Sequence, residues 1–325
     1  MYNVNMMDRK IAVVLFNLGG PASLREVEDF LFSMFNDSHI IGAPRPFRYF
    51  LAKAISKLRA QPSREIYTLI GGKSIVEQET AKQAIALEEL LNKNAETGCS
   101  YKVFTCMRYS APNALTVLGY IDEYKPCKVV LLPMYPQYSS ATTQSSMEDW
   151  FSTSHKAGYS FWTDIIWDYH SNEHFIAAHC RLISEAYEKA VALNPQTRIL
   201  FSAHSLPVSF IEKGDPYQQQ LRQTVMSILQ NMGLQSVDYT LCYQSRLGPV
   251  RWLEPSTKSE LLRACNDNVS VVLVPIAFVS ENSETLVELD IEYKALVGEQ
   301  RFIRVPTLGT DPKFIECLCN LVLAK

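Results

Sequence analysis

The sequence lacks any apolar run long enough to cross a bilayer. The longest, such as residues 271–279, stop well short of the about 20 residues that a spanning helix needs. It has no excess of positive charge either. The 31 Lys and Arg against 34 Asp and Glu leave a formal charge of −3, which argues against a nucleic-acid partner. The start, MYNVNMMDRKIAVVLFNLGG, runs from two charges into a strand-like segment with no cleavage pattern of a secretory signal, so the chain is expected in the cytoplasm. The G-x-G-x-x-G dinucleotide fingerprint is absent after the first strand-like run. Gly71-Gly72-Lys73-Ser74 resembles the tail of a phosphate loop, but Tyr67 stands where that motif requires glycine, so nucleotide binding is not expected. The eight cysteines are scattered, and only Cys317 and Cys319 are close. C-x-C is not the spacing of a zinc or iron–sulfur site, so buried free thiols are expected.

What is present is a globular composition, 47 % hydrophobic and 20 % charged over 325 residues, enough for one large or two ordinary domains. The chain is organised around residues 271–292, VVLVPIAFVSENSETLVELDIE. Its apolar run reads as a strand buried on both faces and ends in Ser280-Glu281-Asn282-Ser283, a group of helix-capping types. In the helix expected next, Glu284, Glu288 and Glu292 recur every four residues and share one side. Such a stripe is either a solvated acidic face or, at the carboxyl end of a buried strand, part of a ligand site.

Other short buried strands are predicted at residues 11–18, 101–108, 128–134, 163–169, 198–203, 239–243 and 302–305, with helical stretches between them. This alternation predicts an α/β fold: two similar, doubly wound Rossmann-like domains with parallel four-stranded sheets facing a cleft. The division falls at residues 1–160 and 161–311, with a final helix over 312–325 returning to the first domain. Residues 47–58 fit an amphipathic helix with Phe47, Phe50, Leu51, Ala54, Ile55 and Leu58 on one face, expected to pack on the sheet. The preceding apolar loop, residues 40–47, is the candidate for an exposed greasy lip.

His204 directly follows a strand. Alone it reads as a histidine hydrogen-bonded at a strand end. With Glu284 at the tip of another strand it can converge on one ligand, as a proton acceptor near neutral pH or a ligand of a divalent metal. His170-Ser171-Asn172-Glu173-His174 fits the H-x-x-E-H zinc-protease motif. Ser171 or Asn172 reads as a helix cap, so His170 would fall outside the helix and the motif is set aside. Tyr109, Tyr135, Tyr138, Trp252 and Phe278 gather at strand ends, where a flat apolar ligand would need walls and where rim residues of a sheet core also sit.

The longer motifs occur in a fixed order: NLGGP at Asn17, IGGKS at Ile70, MRYSAP at Met107, MYPQYSSATTQSS at Met134, FSAHSLP at Phe201, GDPY at Gly214, YQSRLGPVRWLEPST at Tyr243 and ETLVELDIEY at Glu284. Together they make nearly the whole chain resemble the ferrochelatases, the bacterial type of the enzyme that inserts Fe²⁺ into protoporphyrin IX. The resemblance implies a class II chelatase fold with His204 and Glu284 catalytic, and with His204, Glu284, Glu288 and Glu292 near the metal. It implies a porphyrin pocket or lip including Arg108, Tyr109, Tyr67, Ser74, Ile41, Gln244, Trp252 and Phe278, with Arg108 near a propionate. Fe²⁺ would be substrate, with no cofactor held permanently. Asn282 stands where many relatives have His. Ser140 stands where some relatives carry a cluster-binding Cys, and the tail offers only Cys317 and Cys319, so no [2Fe–2S] cluster is expected. The partners implied are protoporphyrin IX and Fe²⁺, with peripheral contact with the inner membrane through residues 40–47, and the preceding enzyme of the haem pathway, as further candidates. A chelatase for another metal or tetrapyrrole, such as coproporphyrin or sirohydrochlorin, and a non-catalytic porphyrin- or haem-binding module remain as alternatives.

Overall fold

The computed structural model describes residues 9–234 and 236–325; Met1–Asp8, and with them the reading of the extreme start, lie outside the described residues. In chain order the first half is β1 (Arg9–Asn17), α1 (Val27–Phe35), α2 (Arg45–Leu69), α3 (Val76–Lys93), β2 (Cys99–Met107), α4 (Ala114–Tyr124), β3 (Lys128–Pro133), a π-helical turn at Ser140–Gln144, α5 (Ser145–Ala157) and β4 (Thr163–Ile165). The second is α6 (Glu173–Leu193), β5 (Thr197–His204), α7 (Val208–Glu212), α8 (Tyr217–Asn231), β6 (Asp238–Gln244), α9 (Thr257–Asn266), β7 (Ser270–Pro275), a π-helix at Glu284–Tyr293, α10 (Lys294–Val297), β8 (Phe302–Arg304) and α11 (Pro312–Leu323).

The two sheets repeat one topology. The orders are β2-β1-β3-β4 and β6-β5-β7-β8, every pair parallel. Central strands such as Ala12–Phe16 and Val271–Val274 are buried on both faces, which is why they carry continuous apolar runs and not alternation. One apolar core runs through both halves. Val13 and Leu15 of β1 belong to it with Leu87 of α3, Phe314 of α11, Ile183 of α6 and Phe201 of β5. Helix α11 lies against α3 and α6.

Helix α2 overturns the expected packing on the sheet. Phe47, Phe50 and Leu58 are 71 %, 71 % and 78 % exposed. The buried stripe is Ala52, Ser56, Ala60, Ser63 and Tyr67, set against α1. The two stripes, 50/54/58 and 52/56/60, are two residues out of phase, so they lie on opposite sides of the helix. Small side chains let α1 approach closely, and the bulky stripe is left facing solvent. Ile40 and Ile41, expected in the exposed lip, are half-buried against the Val27, Leu31 and Phe35 cluster, so the exposed apolar surface begins at Phe47 and continues along α2.

Candidate active site between the two halves

A cavity of about 480 Å³ opens between the carboxyl edges of the two sheets. Segments following β1, β3, β5, β6 and β7 line it, as ligands sit in open α/β sheets. At Gly20, in the turn after β1, an added Cβ would stand 2.3 Å from the Ser74 hydroxyl, so the Gly-Pro turn and the Ser74 loop can meet only over a glycine.

His204 is the last residue of β5 and faces this cavity. Its Nδ1 lies 2.8 Å from the Ser205 carbonyl oxygen. A carbonyl can only accept, so Nδ1 carries the hydrogen and Nε2 keeps a free lone pair. Tyr217 donates its hydroxyl to the His204 carbonyl at 3.0 Å and fixes the strand end.

Glu284 opens the helix after β7. That helix is a π-helix over ten residues where an α-helix was expected. Single turns of this i→i+5 geometry commonly mark functional sites, and ten residues is a long run of it. Asn282 and Thr285 cap its start reciprocally. The Thr285 amide donates to Asn282 Oδ1 at 2.9 Å and the Asn282 amide to Thr285 Oγ1 at 3.0 Å. Thus Asn282 serves as cap. Glu284, Glu288 and Glu292 all face the cavity, the first two half-buried and Glu292 exposed. The Ser283 hydroxyl donates to Glu284 at 2.9 Å. Burial pushes the Tyr67 phenol up, the nearby Glu284 carboxylate pushes it the same way, and a Ser283 hydrogen bond opposes both. Tyr67 therefore stays a hydroxyl.

Glu288 is already engaged. It accepts from the Ser245 amide at 3.0 Å, the Ser245 hydroxyl at 2.5 Å, Gln244 Nε2 at 3.2 Å and the Tyr293 hydroxyl at 2.6 Å. It clamps the end of β6, where Ser245 holds a left-handed φ of 61°, to the π-helix. Among the described residues no three His, Cys, Asp or Glu side chains are grouped to hold a metal ion, so His204, Glu284, Glu288 and Glu292 do not form a ready-made metal cage.

Of the expected pocket residues, Tyr67, Ser74, Tyr109 and Phe278 line the cavity. Four do not. Ile41 packs inside the lip. Gln244 lies beneath the floor, accepting from Ser202 at 2.7 Å and donating to Glu288. Trp252 forms an isolated bridge with Pro207, its indole N–H buried without a partner. Arg108 turns to a separate polar cleft with Asp149 and Asn113. It is paired at 2.7 Å with Asp37, whose carboxylate also accepts from the Ser145 and Tyr109 hydroxyls. Burial pushes Asp37 up, but Ser145, Arg108, the His39 amide and Tyr109 outweigh it and hold the carboxyl below its ordinary value. Arg108 thereby pins the loop after α1 to α5 and stands outside the cavity lining. His170 precedes α6, which Asn172 caps, and its ring nitrogens meet Asp168 and Gln223 at 2.6 and 2.8 Å, so H-x-x-E-H is not a zinc site here.

Sequence reasoning missed Asn17, Ser280, Ser245 and Asp37. None carries a spacing signal, because each acts through a partner far along the chain. It also missed the clasp at Asp215, which accepts from the Ser139 hydroxyl at 3.0 Å and from the amide and hydroxyl of Ser140 at 2.7 and 2.8 Å.

Two repeated parallel sheets with an imidazole and carboxylates facing one bay define a two-lobed chelatase. The sirohydrochlorin chelatase SirB of Bacillus subtilis subspecies spizizenii, solved with cobalt, superposes with a TM-score of 0.55 over 97 % of this chain and 94 % of its own, at 10 % identity, a likeness of fold alone. The ferrochelatase sequence model matches residues 10–325. Proteins called ferrochelatase from Wolbachia of Drosophila simulans and from Rickettsia felis are 52 % and 46 % identical, covering 97 % and 98 % of this chain and 99 % and 90 % of their own. The chain belongs to the ferrochelatase family, lyases of haem biosynthesis that insert Fe²⁺ into protoporphyrin.

Proposed function

We propose that His204 and Glu284 carry the chemistry of iron insertion into protoporphyrin IX. The observation behind this reading is that His204, with its free Nε2 at the end of β5, and Glu284, at the start of the π-helix after β7, line one cavity. Two pyrrole protons must leave as Fe²⁺ enters. An imidazole whose Nδ1–H is spent on a backbone carbonyl leaves Nε2 as the suited acceptor. Glu284, with Ser283 donating to it, shares the proton or hands over the metal, and the exposed Glu292 offers the outer end of that route. Glu288 contributes first by fixing the π-helix. Phe278 and Tyr109 supply the walls against which the macrocycle is held.

In this reading the half over residues 1–160 carries the lip, the half over 161–311 carries His204 and Glu284, and the last helix within 312–325 joins the two through α3 and α6. No [2Fe–2S] cluster is required. The Ser140 hydroxyl, at the position where a cluster would need a thiolate, is spent on Asp215, and Cys317 and Cys319 are the only close pair of thiols in the sequence. The exposed apolar side of α2 beside the cavity suits a cytoplasmic enzyme docked peripherally on a membrane. Among the described residues no helix is long and apolar enough to cross one. Porphyrin then arrives from the bilayer or from the preceding enzyme at that surface.

The test is anaerobic. His204→Ala and Glu284→Gln are mixed with protoporphyrin and Fe²⁺ and followed by absorbance, with porphyrin affinity measured by fluorescence quenching. Loss of turnover of about a hundredfold or more in His204→Ala with near-normal porphyrin binding is expected for a general base. Near-normal turnover would remove His204 from the mechanism.

A further inference from the structure

The segment that presents Glu284 leaves the sheet at Pro275 and reaches the π-helix only at Glu284, so something outside the sheet must hold it. We propose that Gln83, in the opposite half of the molecule, is a positioning residue for iron insertion because it sets that segment. The inference rests on the role proposed above for Glu284.

Gln83 lies on α3 and is fully buried. Its amide nitrogen donates to the Val279 carbonyl at 2.8 Å and to the Gly309 carbonyl at 2.9 Å. Its amide oxygen accepts from the Ser280 hydroxyl at 2.8 Å. One side chain thus uses both donor hydrogens and one acceptor on two loops of the other half. The Gly309 amide also donates to Val279 at 2.9 Å, which closes the loops on each other. One turn earlier on α3, Thr80 accepts from Asn17 at 3.0 Å, and Asn17 reaches Ser280 at 3.5 Å.

The arrangement has two layers. Asn17, Val279, Ser280, Ser283 and Glu284 line the cavity, whereas Gln83 and Thr80 lie behind them, out of contact with it. Gln83 can therefore affect the reaction only through placement. It ties the first half to a point four residues before Glu284, while His204 is held by its own half through Tyr217. The distance across which imidazole and carboxylate face a bound porphyrin is then set in part by this amide. Only glutamine does this at that length. Methionine has no donors. Glutamate fills the same space and can still accept from Ser280, but its ionised form presents oxygen to two carbonyl oxygens.

The experiment compares Gln83→Met, Gln83→Glu and Glu284→Gln with the unaltered protein. It measures kcat for Fe²⁺ insertion, porphyrin affinity, the pH–rate profile and the thermal midpoint. Both Gln83 variants should lose about tenfold or more in kcat, as for displaced catalytic groups, with porphyrin affinity within about threefold and the profile shifted. A merely structural role would lower the thermal midpoint while turnover per folded molecule and pH profile stayed unchanged, and that result overturns the proposal. Should Gln83→Met and Gln83→Glu not fold, Gln83→Asn, which keeps the amide but draws it back by one methylene from the Val279 and Gly309 carbonyls and the Ser280 hydroxyl, decides the matter. A measurable fall in kcat supports the proposal and full kcat overturns it. A Glu284→Gln protein with normal turnover would instead sink the role of Glu284. A dead Glu284→Gln beside a fully active Gln83→Met sinks the positioning alone.

Discussion

Helix α2 makes a prediction whose size follows from exposure. Phe47, Phe50, Leu51 and Leu58 are 71, 71, 45 and 78 % exposed on one side of the helix. Fully burying a Phe or Leu side chain is worth about 1.5–3 kcal/mol. Scaled by exposure, Phe50 or Leu58 alone offers about 1–2 kcal/mol to an apolar surface, and the four together about 4–8 kcal/mol before the cost of association. Lys53 and Lys57 are exposed along the flank, where each adds about 1 kcal/mol at an anionic membrane. Phe50→Ala should therefore weaken binding to vesicles containing phosphatidylglycerol by about tenfold, and Phe50→Ala with Leu58→Ala by about a hundredfold. The two positions lie eight residues apart, about 12 Å along the helix, so their effects should add. Neither residue lines the cavity, so turnover of detergent-dispersed porphyrin should stay unchanged. Vesicle sedimentation at several salt concentrations reads the partition. If the double variant sediments like the unaltered protein, α2 is not the docking face and its exposed stripe needs another explanation.

Other predictions concern the buried charges. His179 is fully buried on α6, edge-on to Phe175 at 4.8 Å, with neither ring nitrogen partnered. Burial pushes it down to about 3, slightly opposed by Asp311. With its folded value below the unfolded about 6.5, its neutral form favours folding above that pH, and stability is lost at about 1.4 kcal/mol per unit as pH falls toward 3. The drop in Tm between pH 7 and pH 5 should therefore shrink in His179→Leu; an unchanged drop would show that His179 protonates without unfolding the core. Asp37 and Glu281, both held below their ordinary values, should keep their contributions throughout that window and lose them only at lower pH. Arg108→Met should cost about 3–5 kcal/mol by leaving Asp37 buried without its cation, while porphyrin affinity measured by quenching stays nearly constant. A large loss of affinity with unchanged Tm would restore Arg108 as a propionate ligand. Glu292→Gln, on the exposed end of the acidic row, should lower turnover less than Glu284→Gln does when both are assayed at limiting Fe²⁺.

The parts of the site that were legible in the sequence are those fixed by local order. A histidine at the end of an apolar run lies at a strand tip and a glutamate after a capping cluster opens the next helix. Parallel strands with crossover helices bring both to one edge, although Glu284 comes nine residues after Pro275, the end of β7. Both residues do line one cavity. The orientation of α2 was not legible. Its sequence carries two i, i+4 stripes on opposite sides, one bulky and one small, and periodicity cannot say which faces protein. Only the proximity of α1 selects the small one. The π-geometry of Glu284–Tyr293 was hidden for a related reason. A four-residue spacing keeps carboxylates roughly aligned in either helix, so the acidic row reads the same.

What remained hidden is chiefly long-range hydrogen bonding. Asp37 and Arg108 are 71 residues apart in sequence, and Gln83 and Ser280 are 197 apart. Neither residue type nor local pattern marks them, since Gln83 sits in a helix whose composition is ordinary. Glu288 shows how this changes a functional assignment. Its place in the acidic row suggests a metal ligand or relay. Yet its carboxylate accepts from Gln244, Tyr293 and twice from Ser245, joining the segment after β6 to the helix after β7. Drawing it toward a metal would strip hydrogen bonds from the left-handed Ser245 and from Tyr293, whose phenol burial has already pushed up and whose neighbouring carboxylate pushes it further. Substituting Glu288 should therefore disturb the register of the whole helix, displacing Glu284 along with it. Loss of activity in a Glu288 variant would not by itself make Glu288 a ligand of iron. A crystal structure of Glu288→Gln with Glu284 unmoved and turnover still lost would be needed for that, and it would count against the clamp.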